Sequence, residues 1–147
     1  MTSRVVDASV AVKWYVPERF SEQASLLLHA ARAGEVALFA PDLIVAEFGS
    51  VLTKKASVGE LTREEASEVL HAFLRVPIEL VSSASLAPTG LAIASGVNCT
   101  FYDALYLAAA QAVGGRLVTA DDELARVTSR TPLRDLVASV RDLPQEL

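Results

Sequence analysis

Four carboxylates stand where apolar segments begin or end, a placement that calls for a chemical explanation. Asp7 follows the apolar pair Val5-Val6, and Asp121 closes the run Leu117-Val118-Thr119-Ala120. Asp103 opens the run Ala104-Leu105-Tyr106-Leu107-Ala108-Ala109-Ala110. Glu47 lies three residues after Ile44 and four before Val51, so it flanks the apolar stripe of a helix. A carboxylate in such a place is costly unless it is paired or bound to a metal. If the four converge, they offer oxygen ligands only, the set that Mg2+ or Mn2+ prefers. The chemistry would then be metal-assisted hydrolysis, in which two ions about 3.5–4 Å apart activate water and steady the leaving oxygen of a phosphodiester.

Asp7, Glu47 and Asp103 also have structural alternatives, as does the neighbouring Asp122. Asp7 can cap a helix that starts at Ala8, since Asp is a favoured N-cap. Thr100-x-x-Asp103 and Thr119-x-x-Asp122 both fit a capping box. A salt bridge to a nearby Arg is the structural reading of Glu47.

Positioning these acids requires elements that the apolar pattern supplies. Val5-Val6 reads as a first strand, and Asp7-Ala8-Ser9 as a turn into a helix bearing Val10, Val12, Trp14 and Tyr15, stopped by Pro17. Ser21 starts a helix with Ala24, Leu27, Leu28 and Ala31 on one face, closed by Gly34. Val36 to Phe39 is a second strand, ended by Pro41. Pro41 or Asp42 opens a helix whose stripe is Ile44, Phe48, Val51 and Leu52, with Lys54 and Lys55 suited to the dipole at its end. Thr62-Arg63-Glu64-Glu65 is a capping box before Ala66, Val69, Leu70, Phe73 and Leu74. Ile78 to Val81 is a third strand, Leu86 to Ser95 a helix, and Phe101 to Val113 a central helix closed by Gly114-Gly115. Leu117 to Thr119 is a fourth strand, Asp122 to Val127 a short helix, and Leu136 to Val140 a last strand. Strands alternate with helices, which predicts an α/β fold with a parallel sheet covered on both faces. Sites in such sheets form beyond the carboxyl ends of the strands, where Asp7 and Asp121 both fall.

The 147 residues suit one domain, residues 1–147, able to bury about 68–70% of its unfolded surface. Hydrophobic residues make up 52%, but no run approaches the ~18 needed to span a membrane, so no membrane association is expected. No basic segment precedes an apolar one at the N-terminus, and no secretory signal is expected. A single cysteine, Cys99, excludes an intrachain disulfide and a thiolate zinc cluster; its simplest role is a small buried hydrophobe, and a cytoplasmic address follows. With 13 Lys and Arg against 18 Asp and Glu the net charge is −5, which weighs against a broad nucleic-acid binder. It does not exclude a nuclease, whose metal ions cancel the clustered acids.

Other chemistries lack their residues. His29 has no nearby acid, and His71 follows Leu70 on a helix surface. There is no His-Glu-x-x-His, no Gly-x-Ser-x-Gly and no glycine-rich phosphate loop. Against this background the chain resembles the PIN domain family, and within it the VapC-type toxins of toxin–antitoxin pairs. The matching residues are Val5-Val6-Asp7-Ala8-Ser9, then Pro41-Asp42-Leu43 with Ala46-Glu47. Thr100-x-Tyr102-Asp103-Ala104-Leu105-Tyr106-x-Ala108-Ala109-Ala110 and Leu117-Val118-Thr119-Ala120-Asp121 complete the set, in the family's order and over nearly the whole chain.

The resemblance implies a PIN-like three-layer α/β/α fold with a central parallel sheet. It implies an endoribonuclease dependent on Mg2+ or Mn2+, a homodimer, and inhibition by a small VapB-type antitoxin that docks near the site. Carried over by position, Asp7, Glu47, Asp103 and Asp121 are the acidic quartet, and Ser9 and Thr119 the hydroxyls that orient it. The doubled acid at 121–122 leaves two candidates for one ligand; Asp121 follows Thr119-Ala120 in the family pattern. Lys13, Lys54, Lys55, Arg126 and Arg130 are candidates for phosphate contact, with solvated surface charge as their alternative. Two rival functions remain. One is a non-catalytic adaptor that keeps the fold for binding RNA or protein, against which the intact quartet argues. The other is a receiver-like or phosphatase site, which needs a Lys after a late strand, and no Lys follows Lys55.

Overall fold

The computed structural model describes residues 1–147. Five parallel strands form one sheet in the order β3-β2-β1-β4-β5, comprising β1 (Thr2–Val6), β2 (Val36–Pro41), β3 (Ile78–Val81), β4 (Arg116–Thr119) and β5 (Val137–Ser139). Seven helices connect and flank them: α1 (Ala8–Ala11), α2 (Ser21–Arg32), α3 (Ile44–Ser57), α4 (Arg63–Leu74), α5 (Ser83–Gly96), α6 (Phe101–Val113) and α7 (Asp122–Thr128). The three-layer α/β/α architecture and its parallel sheet are thus those expected. Because every strand runs the same way, Asp7 after β1 and Asp121 after β4 share one edge, and β1 and β4 are neighbours, with Val5 opposite Leu117.

The core is built where the apolar pattern is densest. Val5, Val6, Leu117 and Val118 are fully buried, as a central strand covered on both faces must be. Helix α6 lies in the interior: every residue from Ala104 to Ala110 is buried. It packs against α5 and against β1, β2 and β4, and its run of small side chains lets those neighbours approach. Gly114 ends α6 in the left-handed region (φ 64), and the next residue has a stricter demand: a Cβ on Gly115 would lie 2.4 Å from the carbonyl oxygen of Ser3. That close approach lets the chain leave α6 and enter β4 directly beside β1.

Several boundaries differ from expectation. Pro41 belongs to β2, and α3 starts only at Ile44, because Asp42 is otherwise engaged. Its N–H donates to the Val81 carbonyl (2.8 Å), and its carboxylate accepts from the N–H of Ser83 (3.1 Å). Helix α5 begins at Ser83 rather than Leu86, since Ser82 caps it and Pro88 is tolerated inside. The last strand shrinks to Val137–Ser139, with 3₁₀ turns on either side. At α7 the cap is Asp121, not Thr119, so Asp122 belongs to no capping box.

A candidate metal centre at the carboxyl edge of the sheet

Asp7 is the best-anchored of the four acids. Its backbone is still extended (φ −108, ψ 174) as the chain leaves β1, and α1 begins at the next residue. Oδ1 accepts from the Ser9 hydroxyl (2.6 Å) and the Val10 N–H (3.2 Å), and Oδ2 accepts from the Thr119 hydroxyl (2.5 Å). The same two hydroxyls reach back to β4: Ser9 Oγ accepts from the Ala120 N–H (3.1 Å) and Thr119 Oγ1 from the Asp121 N–H (3.0 Å). The ends of β1 and β4 are therefore stitched through one carboxylate. Thr119 is buried, one of only two buried polar residues in the chain, and the network satisfies it.

Glu47 reaches the same edge from α3. The Arg partner of the structural alternative is not there; instead the Tyr106 hydroxyl on α6 donates to Oε1 (2.8 Å). Tyr106 is 3% exposed, so this contact is made in the protein interior. Asp103 stands one helical turn before Tyr106, in the first turn of α6, where Thr100 Oγ1 accepts from its N–H (3.0 Å). Asp121 Oδ1 caps α7, accepting from the N–H groups of Glu123 (3.0 Å) and Leu124 (3.1 Å).

The acids feel one another. Burial, followed by the Glu47 charge, pushes the Asp7 carboxyl up to about 6, with Ser9, Thr119 and the Val10 amide pulling back. Glu47 is raised by burial and by Asp103, with the Tyr106 hydroxyl opposing. Asp103 is raised by burial and by Asp121, with Thr100 opposing. Burial and the charges of Glu47, Asp7 and Asp103 hold the Tyr106 phenol far above its ordinary range, so it remains a donor. A continuous line of repulsion runs from Asp7 through Glu47 and Asp103 to Asp121.

As the side chains stand, no three of these acids gather tightly enough to share one ion. Both Asp7 oxygens, Glu47 Oε1 and Asp121 Oδ1 each accept from protein donors. Glu47 Oε2 and Asp121 Oδ2 accept no hydrogen bond and are open to a cation. The donor set, oxygen throughout and with the Asp7, Glu47 and Asp103 carboxyls raised, fits a hard divalent cation. A cavity of about 480 Å³ opens here, with Ser9, Glu47 and Tyr102 in its wall. The larger hollow of about 790 Å³ lies between α3 and α4 and carries no carboxylate.

The structure separates Asp122 from the cluster: it is exposed and ion-paired with Arg141. Lys13 and Lys55 both pair with Glu18, Lys55 also pairs with Glu60, and Arg126 with Glu123; Lys54 and Arg130 make no ion pair. Cys99 is half-buried and His29 and His71 are exposed, all away from the acids' hydrogen bonds. Tyr106 enters the sequence reading only within a motif, with no role, and Arg141 does not enter it. A signal existed for the tyrosine: its position three after Asp103 puts both on one helix face. None existed for Arg141, whose partner lies 19 residues away.

Comparisons with known proteins agree with this architecture. The family profile of the PIN domain matches residues 4–129. Ribonuclease VapC3 of Pyrobaculum aerophilum is 37% identical over 123 residues, spanning 82% of this chain and 91% of that protein. Among solved structures, PAE2754 of Pyrobaculum aerophilum superposes with a TM-score of 0.69 at 26% identity, covering 97% of this chain and 86% of its own. VapBC2 of Rickettsia felis, solved bound to a DNA fragment from its promoter, gives 0.65 at 14% identity, with 94% and 98% covered.

Proposed function

The chain belongs to the PIN domain family, among the VapC-type toxins, and we propose that it is a Mg2+- or Mn2+-dependent endoribonuclease, the toxin of a toxin–antitoxin pair. The observation that carries this reading is the Asp7 carboxylate, fixed by Ser9, Val10 and Thr119 and facing further acids at one sheet edge. The named ribonuclease at 37% identity supports the reaction class.

Asp7, Glu47, Asp103 and Asp121 would hold the cation. When bound, it would supply a Lewis acid for the phosphodiester and a more acidic water. The chain's own contribution is placement. Ser9 and Thr119 hold the Asp7 carboxylate at the end of β1, and Tyr106 fixes one oxygen of Glu47 while leaving the other free. Asp121 is held by the first amides of α7, so its free oxygen points from a rigid terminus. Burial and mutual repulsion keep proton affinity high at Asp7, Glu47 and Asp103, the state that a cation relieves. A VapB-type antitoxin and a second copy of the chain are the partners this reading carries with it.

The test is cleavage of single-stranded RNA by purified protein, titrated with Mg2+ and Mn2+ and repeated with Asp7→Asn. Metal-dependent cleavage that the substitution abolishes is the expected result. RNA binding without cleavage at any metal concentration would replace the enzyme by a non-catalytic adaptor. In cells, expression of wild type should arrest growth and Asp7→Asn should relieve it.

A further inference from the structure

One exposed cluster beside the acids belongs to none of the roles above. Phe20 caps the start of α2 in the left-handed region (φ 67), the only residue other than glycine with positive φ in the chain. A non-glycine residue pays in steric strain to stand there, and such strain persists where the surroundings impose it. Two guanidinium groups lie over its ring: Arg19 Cζ is 4.7 Å from the centroid and Arg141 Cζ 5.9 Å. Phe20 itself is half-buried against the core, so the ring is a fixed seat for both cations.

The position of this seat gives it a use. Arg141 lies just past the carboxyl end of β5, one strand outward from β4, which Asp121 follows. It pairs with Asp122, the residue after Asp121, and its Nε donates to Ser139 Oγ (3.1 Å), which leaves Nη1 free. Arg19 makes no ion pair or hydrogen bond at all, so every donor on its fork is available. Of the other cations considered for phosphate contact, Lys13, Lys55 and Arg126 are already neutralised by Glu18, Glu60 and Glu123, while the unpaired Lys54 and Arg130 lie in the last turn of α3 and beyond the end of α7. In a chain of net charge −5, an anionic strand approaching four acids needs cations that are not already spent. A guanidinium fork matches a phosphate through two parallel hydrogen bonds.

We propose that Arg19 and Arg141, seated on Phe20, form a phosphate-binding subsite that grips the RNA backbone where it passes the acidic site. The inference rests on the ribonuclease reading. It assigns the contact to phosphates, whose oxygens the two guanidinium forks match through parallel hydrogen bonds. Binding here is therefore independent of sequence. Asp122 restrains the subsite by holding one arm of Arg141.

The experiment uses the full chain carrying Asp7→Asn, in chelator, with a fluorescein-labelled single-stranded RNA of mixed sequence, and reads anisotropy across a salt series. Arg19→Ala and Arg141→Ala should each weaken binding by about fivefold at low salt and lower the slope of log affinity against log salt by about 0.7. Asp122→Asn should tighten binding by about twofold, since it frees Arg141 from a competing anion. Arg32→Ala, at the end of α2 on the opposite edge, should match the parent. Both test arginines are exposed, so their loss should leave the fold intact. Affinities and salt slopes equal to the parent in all variants would overturn the subsite. So would a loss of affinity with no change of slope, or a loss seen with poly-glutamate and not with RNA. The ribonuclease reading is judged separately, by Mn2+-dependent cleavage with the native acids. Cleavage together with unchanged slopes removes the subsite and leaves the enzyme.

Discussion

At the scale of single residues, the same atoms serve both the fold and the proposed chemistry. Asp7 caps α1, as a structural reading of the sequence expects, and Asp121 caps α7 in place of Thr119, yet each also lies at the edge where the acids meet. Capping and catalysis separate by substitution, because Asn caps about as well as Asp but carries no charge. Asp7→Asn, Glu47→Gln, Asp103→Asn and Asp121→Asn should each reduce RNA cleavage by about a hundredfold or more and leave the circular dichroism spectrum unchanged. Full activity in any two of them at saturating Mg2+ would dissolve the quartet. Asp122→Asn removes only an exposed ion pair, a loss of about 0–1 kcal/mol, and should retain most cleavage. Tyr106 offers a sharper separation. Tyr106→Phe keeps the ring in the core but deletes the donor to Glu47 Oε1. The freed carboxylate should rotate, weakening Mn2+ affinity by about 10–100-fold while activity recovers at high metal. Unchanged Mn2+ affinity, read from metal-induced thermal shifts, would make the hydroxyl a packing feature alone.

At the scale of elements, what was legible in the sequence was what local pattern decides. The Thr62 capping box forms with both reciprocal hydrogen bonds, Ile78–Val81 is a strand, and Phe101–Val113 is a helix, because caps, alternation and helical spacing all act within a few residues. The parallel sheet followed from alternation of strand and helix, and the edge shared by Asp7 and Asp121 followed from the sheet. What was not legible depends on partners far along the chain. Pro41 or Asp42 was expected to open α3, but Pro41 ends β2 and Asp42 is spent on Ser83, 41 residues away, while Glu47 is met by Tyr106, 59 residues away, rather than by an Arg. Gly115 shows how an element boundary governs the site. The α6–β4 turn sets the spacing between Asp103 and Asp121, and it closes only because the backbone passes against Ser3. Gly115→Ala places a methyl 2.4 Å from a carbonyl oxygen that belongs to a central strand and cannot yield easily. Overpacking of this kind typically costs about 1–3 kcal/mol, here an expected drop in Tm of roughly 2–12 °C. Gly114→Asn, at a left-handed position that Asn tolerates, should cost much less. Equal melting of the two variants would mean that the turn relaxes and that the close approach does not constrain it.

At the scale of the whole molecule, the clustered acids should make stability depend on pH and on metal in a linked way. Asp7, Glu47 and Asp103 all have folded carboxyls raised above their ordinary values, Asp7 from 3.8 to about 6. Between those values the folded protein holds more protons than the unfolded chain, so its stability falls as pH rises. The contribution is fully present below about pH 4 and lost as pH passes about 6; for Asp7 alone, two pH units correspond to on the order of 3 kcal/mol. Charge elsewhere on the chain adds its own slope, so the informative quantity is the difference between proteins. Asp103→Asn removes one repelling charge from the line of acids and leaves the Thr100 cap of α6 in place. In chelator at pH 7.5 the variant should melt at or above wild type, and the two should converge toward pH 4, where the wild-type acids take up protons. Divalent metal should reverse the ranking. At about 100 times its dissociation constant a cation stabilises the protein that binds it by about 2.7 kcal/mol, a rise of roughly 5–11 °C for a chain of this size. Excess Mn2+ should therefore lift wild type well above Asp103→Asn at pH 7.5 and lift neither at pH 4. A variant that melts slightly below wild type at both pH values, with the same Mn2+ shift in each protein, would reduce Asp103 to a helix-terminus residue and remove the electrostatic basis of the metal centre.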